Sequence, residues 1–243
     1  GLDAGDHRLT VNGAGYAPHS ERVAVDDTDE PNTAGVGGEV PLTAAEDAVK
    51  LRVDAEGTDA DLASLAVEDD FGGRLYDAPL DGRDAVYVNR NGAYATEVRD
   101  TDGALGVYRV NPAPDASEAT VAEPRTGKGA IAGYVGDLTA ETAESVRNVE
   151  DDDEDGGPPT GGPPGLARAL TVVADAADSA ATRAAASEGA AADRQLRAAG
   201  QALTTVAERF AETRGDLPGG VGNAVERRLG QTERRLEQAL AAE

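Results

Sequence analysis

Alternating apolar and polar positions recur through the first half of the chain and predict a series of short β-strands. Each segment repeats every two residues and is rich in Val, Ala or Tyr, which is typical of strands with one buried face. These segments are 7–11, 21–25, 49–53, 85–88, 93–98, 106–110, 119–121 and 131–135. Residues 62–67 fit a further strand or one helical turn, and residues 43–47 fit a short helix.

Asn-Gly and Asp-Gly pairs separate several of these segments and predict tight turns, because Gly adopts positive φ without steric cost. The four residues from Asn89 to Gly92, between two predicted strands, are the clearest hairpin signal. Short strands joined at these intervals indicate an antiparallel β-sandwich or barrel-like domain over residues 1–137. The pairs are Asn12-Gly13, Asp81-Gly82, Asn91-Gly92 and Asp102-Gly103.

The apolar period becomes helical after this β-rich domain. A short helix is predicted over residues 138–149, with Asp137 or Thr139 as its N-cap. Three further helices are predicted within residues 165–243, with a break near Glu188 and Gly189. The first two of these helices carry apolar seams with heptad spacing. The seams are Leu166, Leu170, Val173, Ala177, Ala180 and Ala184, and then Leu196, Ala199, Leu203, Val206 and Phe210.

The last helix contains a seven-residue repeat, in which ERRLGQT at 226–232 is nearly repeated as ERRLEQA at 233–239. Leu229 and Leu236 share one core position, and Arg228 and Arg235 flank it. Two heptads fit either a helix of an intramolecular bundle or a coiled-coil stem. We therefore expect a helical bundle or coiled-coil stem, with self-association or a protein partner bound through the C-terminal helices.

Residues 150–164 separate the two halves. An unbroken acidic run from Glu150 to Asp155 is followed by a segment of Gly and Pro, a composition that neither helices nor strands tolerate. We interpret this stretch as an acidic Gly/Pro linker. The predicted fold class is therefore α+β in separate regions, with the β-rich domain before the linker and the helical region after it.

The charge balance is strongly acidic. The chain has 46 Asp and Glu against 22 Lys and Arg, a net charge of −24, and its only lysines are Lys50 and Lys128. Such a composition resembles proteins of salt-loving archaea, because at ~1 M salt the Debye length is only ~3 Å and the self-repulsion is screened. After Gly165 the chain carries 11 acidic and 10 basic residues, so the excess belongs to the first half and the linker.

The same composition limits the partners. An acidic surface disfavours nucleic acid, so no nucleic-acid binding is expected. No run of about 18 apolar residues occurs, so we expect no membrane span within this chain, and an anchor outside it is compatible with the sequence. The chain starts at Gly1 and contains no Met, which a removed signal peptide would explain.

Few residues are suited to metal binding or catalysis. There is no Cys, and His7 and His19 are the only imidazoles. Asp151, Asp153 and Asp155 match the first half of a calcium loop and are the candidate Ca²⁺ ligands, and no other cofactor is expected. The acidic residue that should close such a loop is replaced by Gly, at position 162.

One short segment has a weaker resemblance to a ligand-binding motif. Thr126-Gly127-Lys128-Gly129 resembles part of a phosphate loop, but it lacks the leading glycine and the Ser or Thr that would hold magnesium. We therefore expect a β-turn there.

These patterns predict a non-enzymatic structural or adhesion protein of an extreme halophile, with the β domain presented on a helical stem. The expected location is extracellular, on the cell surface or on a virion. One alternative is a spike or fibre protein of a halophilic archaeal virus. The other is a carboxylate-rich ectodomain that binds a solute or Ca²⁺, or a hydrolase. A glycosidase usually lines its cleft with aromatics, whereas the first half has one Phe and no Trp.

Overall fold

The computed structural model of the chain describes residues 5–11, 13, 15–17, 19–25, 43–55, 61–80, 85–149 and 162–242. Within these ranges, nine β-strands are followed by four α-helices and one short 3₁₀-helix. Strands and helices therefore occupy separate regions, as the sequence predicted. The predicted linker falls almost wholly outside the described residues, which resume at Gly162, two residues before the second helix.

The strands form three sheets. The first is a hairpin of β1 with β2, the second has the order β6-β3-β9, and the third has the order β5-β4-β7-β8. The strands are β1 Gly5–Val11, β2 His19–Val25, β3 Ala48–Asp54, β4 Leu62–Asp69, β5 Arg74–Pro79, β6 Ala85–Asn89, β7 Tyr94–Asp100, β8 Leu105–Val110 and β9 Glu118–Ala122. Residues 62–67 are thus a strand, whereas residues 43–47 contain an isolated bridge and a turn instead of the expected helix.

The three-stranded and four-stranded sheets share one hydrophobic core. Val49, Leu51 and Val53 of β3 alternate with less buried residues, as period-two patterning requires, and they join Leu65 of β4 and Val98 of β7 in the same buried cluster. The sequence predicts an antiparallel domain, but one strand pair of the three-stranded sheet is parallel. β9 runs parallel to β3, with Lys50 opposite Glu118, and it joins this sheet after the strands of the four-stranded sheet in the chain order.

The helices are α1 Lys128–Arg147, α2 Pro164–Ala185, α3 Gly189–Thr213 and α4 Gly219–Ala241, with the 3₁₀-helix Arg214–Asp216 before α4. The predicted strand at 131–135 is wrong, and so is the predicted helix start at 138. Ile131, Tyr134, Val135 and Leu138 are all buried, which is the spacing of one helical face. A five-residue apolar run fits both periods, and packing against α2 and β8 selects the helix.

Three helices follow the linker, as predicted for residues 165–243. The expected break near Glu188 and Gly189 is confirmed, since α3 begins at Gly189. α1 packs against α2 and α4, and α2 packs against α3. At Gly136 a Cβ atom would lie only 1.9 Å from Asp178 Oδ1, so this glycine makes room on α1 for the Asp178 carboxylate of α2.

A second hydrophobic core joins the helices to the four-stranded sheet. Ala95, Leu105 and Val107 on the outer face of that sheet belong to the same buried cluster as the apolar faces of the four helices. The seam residues Val225, Leu236 and Ala239 of α4 are buried in this cluster. The repeat of the last helix therefore packs within its own chain.

Candidate functional site: a cleft at the loop ends of the four-stranded sheet

Arginines and carboxylates meet where side chains of α4 reach α1 and the outer face of the four-stranded sheet. We call this group the sheet–helix ion network. Its members are Glu68, Asp70, Arg74, Glu97, Arg109, Glu141, Arg228, Arg234 and Arg235. Arg228 and Arg235 are seven residues apart, so they project from one face of α4. The sequence places them beside the apolar seam of a bundle helix or a coiled coil. In the structure Arg235 binds β4 and β7, and Arg228 binds the β4–β5 turn and α1.

One half of the network is centred on Arg235, whose side chain is only 2% exposed. Arg235 Nη2 lies 2.9 Å from Glu68 Oε2 and 2.5 Å from Glu97 Oε1. Arg74 reaches the same two carboxylates from the partly exposed edge strand β5, at 2.9 and 3.3 Å. Glu68 and Glu97 are therefore buried between a cation from the sheet, Arg74, and a cation from α4, Arg235. These ion pairs connect α4 to the four-stranded sheet.

The other half of the network is centred on Asp70 and Glu141. Arg109 donates to both carboxylates and holds Glu141 through two nitrogens, at 2.9 and 3.1 Å. Arg228 Nη2 lies 2.8 Å from Asp70 Oδ2 and 2.8 Å from Glu141 Oε1. Each carboxylate thus has two arginine partners, and this arrangement joins the β4–β5 turn, β8, α1 and α4.

The arginines decide the protonation of these groups. Burial by itself would raise the pKa values of Asp70 and Glu141, but the hydrogen bonds and charges of Arg109 and Arg228 outweigh it and hold both pKa values below the ordinary range. Burial would lower the pKa of Arg109, but its two carboxylate partners raise it instead. Both carboxylates are therefore ionised at neutral pH.

Acid should destabilise the fold through these two groups. A carboxyl whose pKa is lowered by folding adds stability above its unfolded pKa and loses it as the pH falls through the folded pKa. We expect the Asp70–Glu141 pair to account for a loss of about 1–2 kcal/mol in the free energy of unfolding between about pH 5 and pH 3. Urea unfolding across this range measures it.

The double variant Asp70→Asn with Glu141→Gln should flatten that part of the pH profile. Asp115→Asn, at an exposed carboxyl, should leave it unchanged. The pKa values of Asp137 and Asp178 are raised by burial and by neighbouring carboxylates, so those groups act in the opposite direction and do not mimic the effect. An unchanged profile in the double variant would contradict the assignment.

Above the second half of the network lies an open cleft with a volume of about 780 Å³. We call it the loop-end cleft. It is lined by residues 69–71, 75, 89–94, 111, 112 and 114 of the β part, together with Glu141 and Arg228. Its walls are the β4–β5 turn, the β6–β7 turn and the loop after β8. Its volume is within the range of small-molecule sites, roughly 300–1,000 Å³.

The β6–β7 turn has a different role from the one that the sequence suggested. Gly92 N donates to Asn89 O at 3.2 Å, so the predicted turn from Asn89 to Gly92 is present. It does not form a hairpin, however, because β6 belongs to the three-stranded sheet and β7 to the four-stranded sheet. The turn instead crosses between the sheets and brings Arg90 and Asn91 to the rim of the cleft.

Several polar groups of the rim are not used by the fold. Arg90 Nε is buried without a hydrogen-bond partner, and the Asn91 side chain has no partner among the described residues. Asn111 Nδ2 donates to Glu141 Oε2 at 3.1 Å, which leaves its carbonyl oxygen available. Phe71 is 70% exposed at the tip of the β4–β5 turn, and Arg227 Cζ lies 4.5 Å from its ring centroid. The cleft can therefore offer donors, acceptors and an aromatic surface.

A second cavity, of about 610 Å³, lies beside the Thr126–Gly129 segment at the start of α1. Thr126 Oγ1 donates to Asp100 Oδ2 at 2.6 Å, and Lys128 Nζ lies 2.7 Å from Asp193 Oδ1. Gly127, with φ of 91°, precedes the helix, so the segment opens α1 in place of the expected β-turn. Its polar side chains are bound within the protein, which argues against a phosphate loop.

The candidate calcium ligands Asp151, Asp153 and Asp155 lie outside the described residues, so that prediction stays untested. Within the described ranges, no three His, Cys, Asp or Glu side chains are grouped so that they could hold a metal ion. His7 and His19 lie on β1 and β2.

Comparisons with known proteins provide no assignment: no protein-family model, no curated protein and no solved structure matches this chain. Among the helices that the structure describes, none has both the length and the apolar character needed to cross a membrane.

The residues that build the cleft were not identified as a site from the sequence. The one available signal was the segment from Glu68 to Gly73, where three acidic residues precede the single Phe of the first half and two glycines. That pattern predicts a turn, and it exposes an aromatic side chain that folding does not use. The partners Glu141 and Arg228 could not be found in this way, because they come from helices distant in the sequence.

Proposed function

We propose that this protein is a non-enzymatic adhesion or binding module of an extreme halophile, secreted or held at the cell surface, and that its ligand occupies the loop-end cleft. The proposal depends on a difference between the floor of the cleft, where the carboxylates are paired, and its rim, where polar groups are unpaired. On its floor, Asp70 and Glu141 are each bound by two arginines. On its rim, Arg90 Nε and the side chain of Asn91 have no partner among the described residues.

The same contrast supports binding over hydrolysis. A hydrolase that uses two carboxyl groups needs one of them as a general acid, with a raised pKa. At the cleft floor the pKa values of both Asp70 and Glu141 are lowered, and both groups are fixed by Arg109 and Arg228. Neither group is suited to donate a proton near neutral pH, and the rim groups supply hydrogen bonds without a nucleophile.

The architecture proposed for this role is a β-sandwich carried on a helical base. The buried cluster shared by the three-stranded and four-stranded sheets supports a sandwich. The ion network supports a rigid base, because α4 is tied to the sheet that carries the cleft. Self-association as a coiled-coil stem would have to use other faces of α4, where Leu240 is partly exposed. A virion surface protein would use the same layout.

Retention on isolated haloarchaeal cell envelopes in concentrated KCl tests the proposal. Fluorescently labelled wild-type protein should sediment with the envelopes. Asn91→Trp should weaken retention about tenfold by filling the cleft, and a tenfold change corresponds to about 1.4 kcal/mol. Val172→Trp is the matched control, because Val172 is 52% exposed on α2 and lies outside the cleft.

Equal retention of wild type and Asn91→Trp would contradict binding through the cleft. Absence of retention for all three proteins would contradict the adhesion role. Circular dichroism of the variants verifies that each is folded, and the exposed positions of both substitutions make this the expected result.

A further inference from the structure

We infer that the ligand of the loop-end cleft is an uncharged saccharide. This inference rests on the proposed binding function and adds the chemical class of the ligand. It is carried by three properties of the cleft: a nearly balanced charge, unused planar hydrogen-bonding groups, and an exposed aromatic ring held in place by a neighbouring helix.

The charges of the cleft are nearly balanced. Its lining contains the carboxylates of Asp69, Asp70 and Glu141 and the guanidinium groups of Arg90 and Arg228. Asp70 and Glu141 are paired with arginines, and Asp69 Oδ1 accepts from two backbone N–H groups of its own turn, at 2.9 and 2.7 Å. Little net charge remains to attract a cation or an anion, so a neutral ligand fits best.

The unused groups match the hydroxyls of a sugar. Neighbouring hydroxyl groups both donate and accept, and a planar amide or guanidinium can bind two of them at once. Asn91 supplies a donor and an acceptor, the carbonyl oxygen of Asn111 supplies an acceptor, and the guanidinium of Arg90, of which Nε itself is buried, lines the same cleft. These three residues belong to two separate loops, so they can contact different sides of one sugar ring.

Phe71 supplies the apolar part of the contact. A sugar ring has a face of C–H groups that packs against an aromatic ring, and this packing does not depend on charge. Arg227 from α4 lies over the ring of Phe71, so the helix that contributes Arg228 to the cleft also contacts the aromatic side chain. The rest of the Phe71 ring is exposed to solvent and is available to a sugar.

Saturation-transfer NMR and calorimetry with defined sugars test the inference, at a salt concentration at which the protein is folded. The probes are maltotriose, cellotriose and α-mannotriose, with trigalacturonate as the charged counterpart. At least one neutral trisaccharide should bind. Its affinity should fall about tenfold in Phe71→Ala and in Asn91→Ala, and should be unchanged in Val172→Ala.

Binding of trigalacturonate alone, or equal binding of neutral sugars to Phe71→Ala, would overturn the inference. Periodate treatment of the envelopes separates it from the proposed function, because periodate cleaves vicinal diols and destroys sugars. Loss of retention after treatment supports a saccharide. Retention that persists on treated envelopes, and is still lost in Asn91→Trp, indicates a protein ligand: the saccharide is then overturned and the binding function stands.

Discussion

Replacing Arg235 by methionine is expected to lower the free energy of unfolding by about 3–5 kcal/mol, the usual cost of removing one partner from a buried ion pair. The variant leaves Glu68 and Glu97 buried beside each other, with the cation of Arg74 as the main compensation. In a chain of this length the loss corresponds to roughly 6–20 °C in Tm. Thermal and denaturant unfolding followed by circular dichroism measure it.

Arg234→Met is the matched control. Arg234 lies on the same helix and contacts the same carboxylate, Glu68, at 3.2 Å, but its side chain is 48% exposed. An exposed pair contributes at most about 1 kcal/mol, so this variant should be close to wild type. Adding Glu68→Gln and Glu97→Gln to Arg235→Met should recover part of the loss. Equal destabilisation by both arginine variants would show that burial of the charge is not the cause.

Removing salt is expected to lower Tm by an amount similar to that expected for Arg235→Met. Before Gly165, 35 acidic residues face 12 basic ones, and a change from ~1 M to ~0.01 M salt lengthens the Debye length from ~3 Å to ~30 Å. Repulsion among surface carboxylates should then lower Tm by about 10 °C or more, whereas the buried ion network is screened much less. Melting curves over a KCl series provide the measurement.

Neutralising exposed acids should reduce this salt requirement. Glu46, Asp47 and Asp115 are exposed in the β part, and their joint replacement by Gln and Asn should raise Tm in low salt and leave it nearly unchanged in concentrated KCl. A wild-type Tm that does not depend on salt would refute the halophilic interpretation of the composition.

Alternating burial makes a strand predictable, but it does not account for every strand: β7 is buried on both faces and was predicted, whereas β5 was missed. β3 is the clear case, because Val49, Leu51 and Val53 alternate with less buried residues. The strand predicted at 131–135 is a helix, because a short apolar run has no clear period and fits a strand and a helix equally well. The sequence also did not predict which strands pair with each other. The turn at Asn89 shows that the chain reverses there, but it does not show which sheet the next strand joins.

The candidate site depended on contacts that sequence spacing does not encode. The repeat in α4 correctly placed Arg228 and Arg235 on one face, yet the sequence could not show whether that face meets another copy of the chain or the sheet. Their carboxylate partners, Asp70 and Glu68, lie more than half the chain away. Acidic residues are so frequent in this chain that no single one stands out as a partner.

The parallel pairing of β3 with β9 has a consequence for the order in which the chain folds. Lys50 finds its partner Glu118 only after four strands of the other large sheet have been made, so the three-stranded sheet closes through a long loop. Closing such a loop is slow, because the chain loses its freedom before the contacts form. During synthesis, the shared core of the two sheets therefore stays incomplete until Ala122 has emerged, whereas β8, the strand against which α1 packs, already ends at Val110.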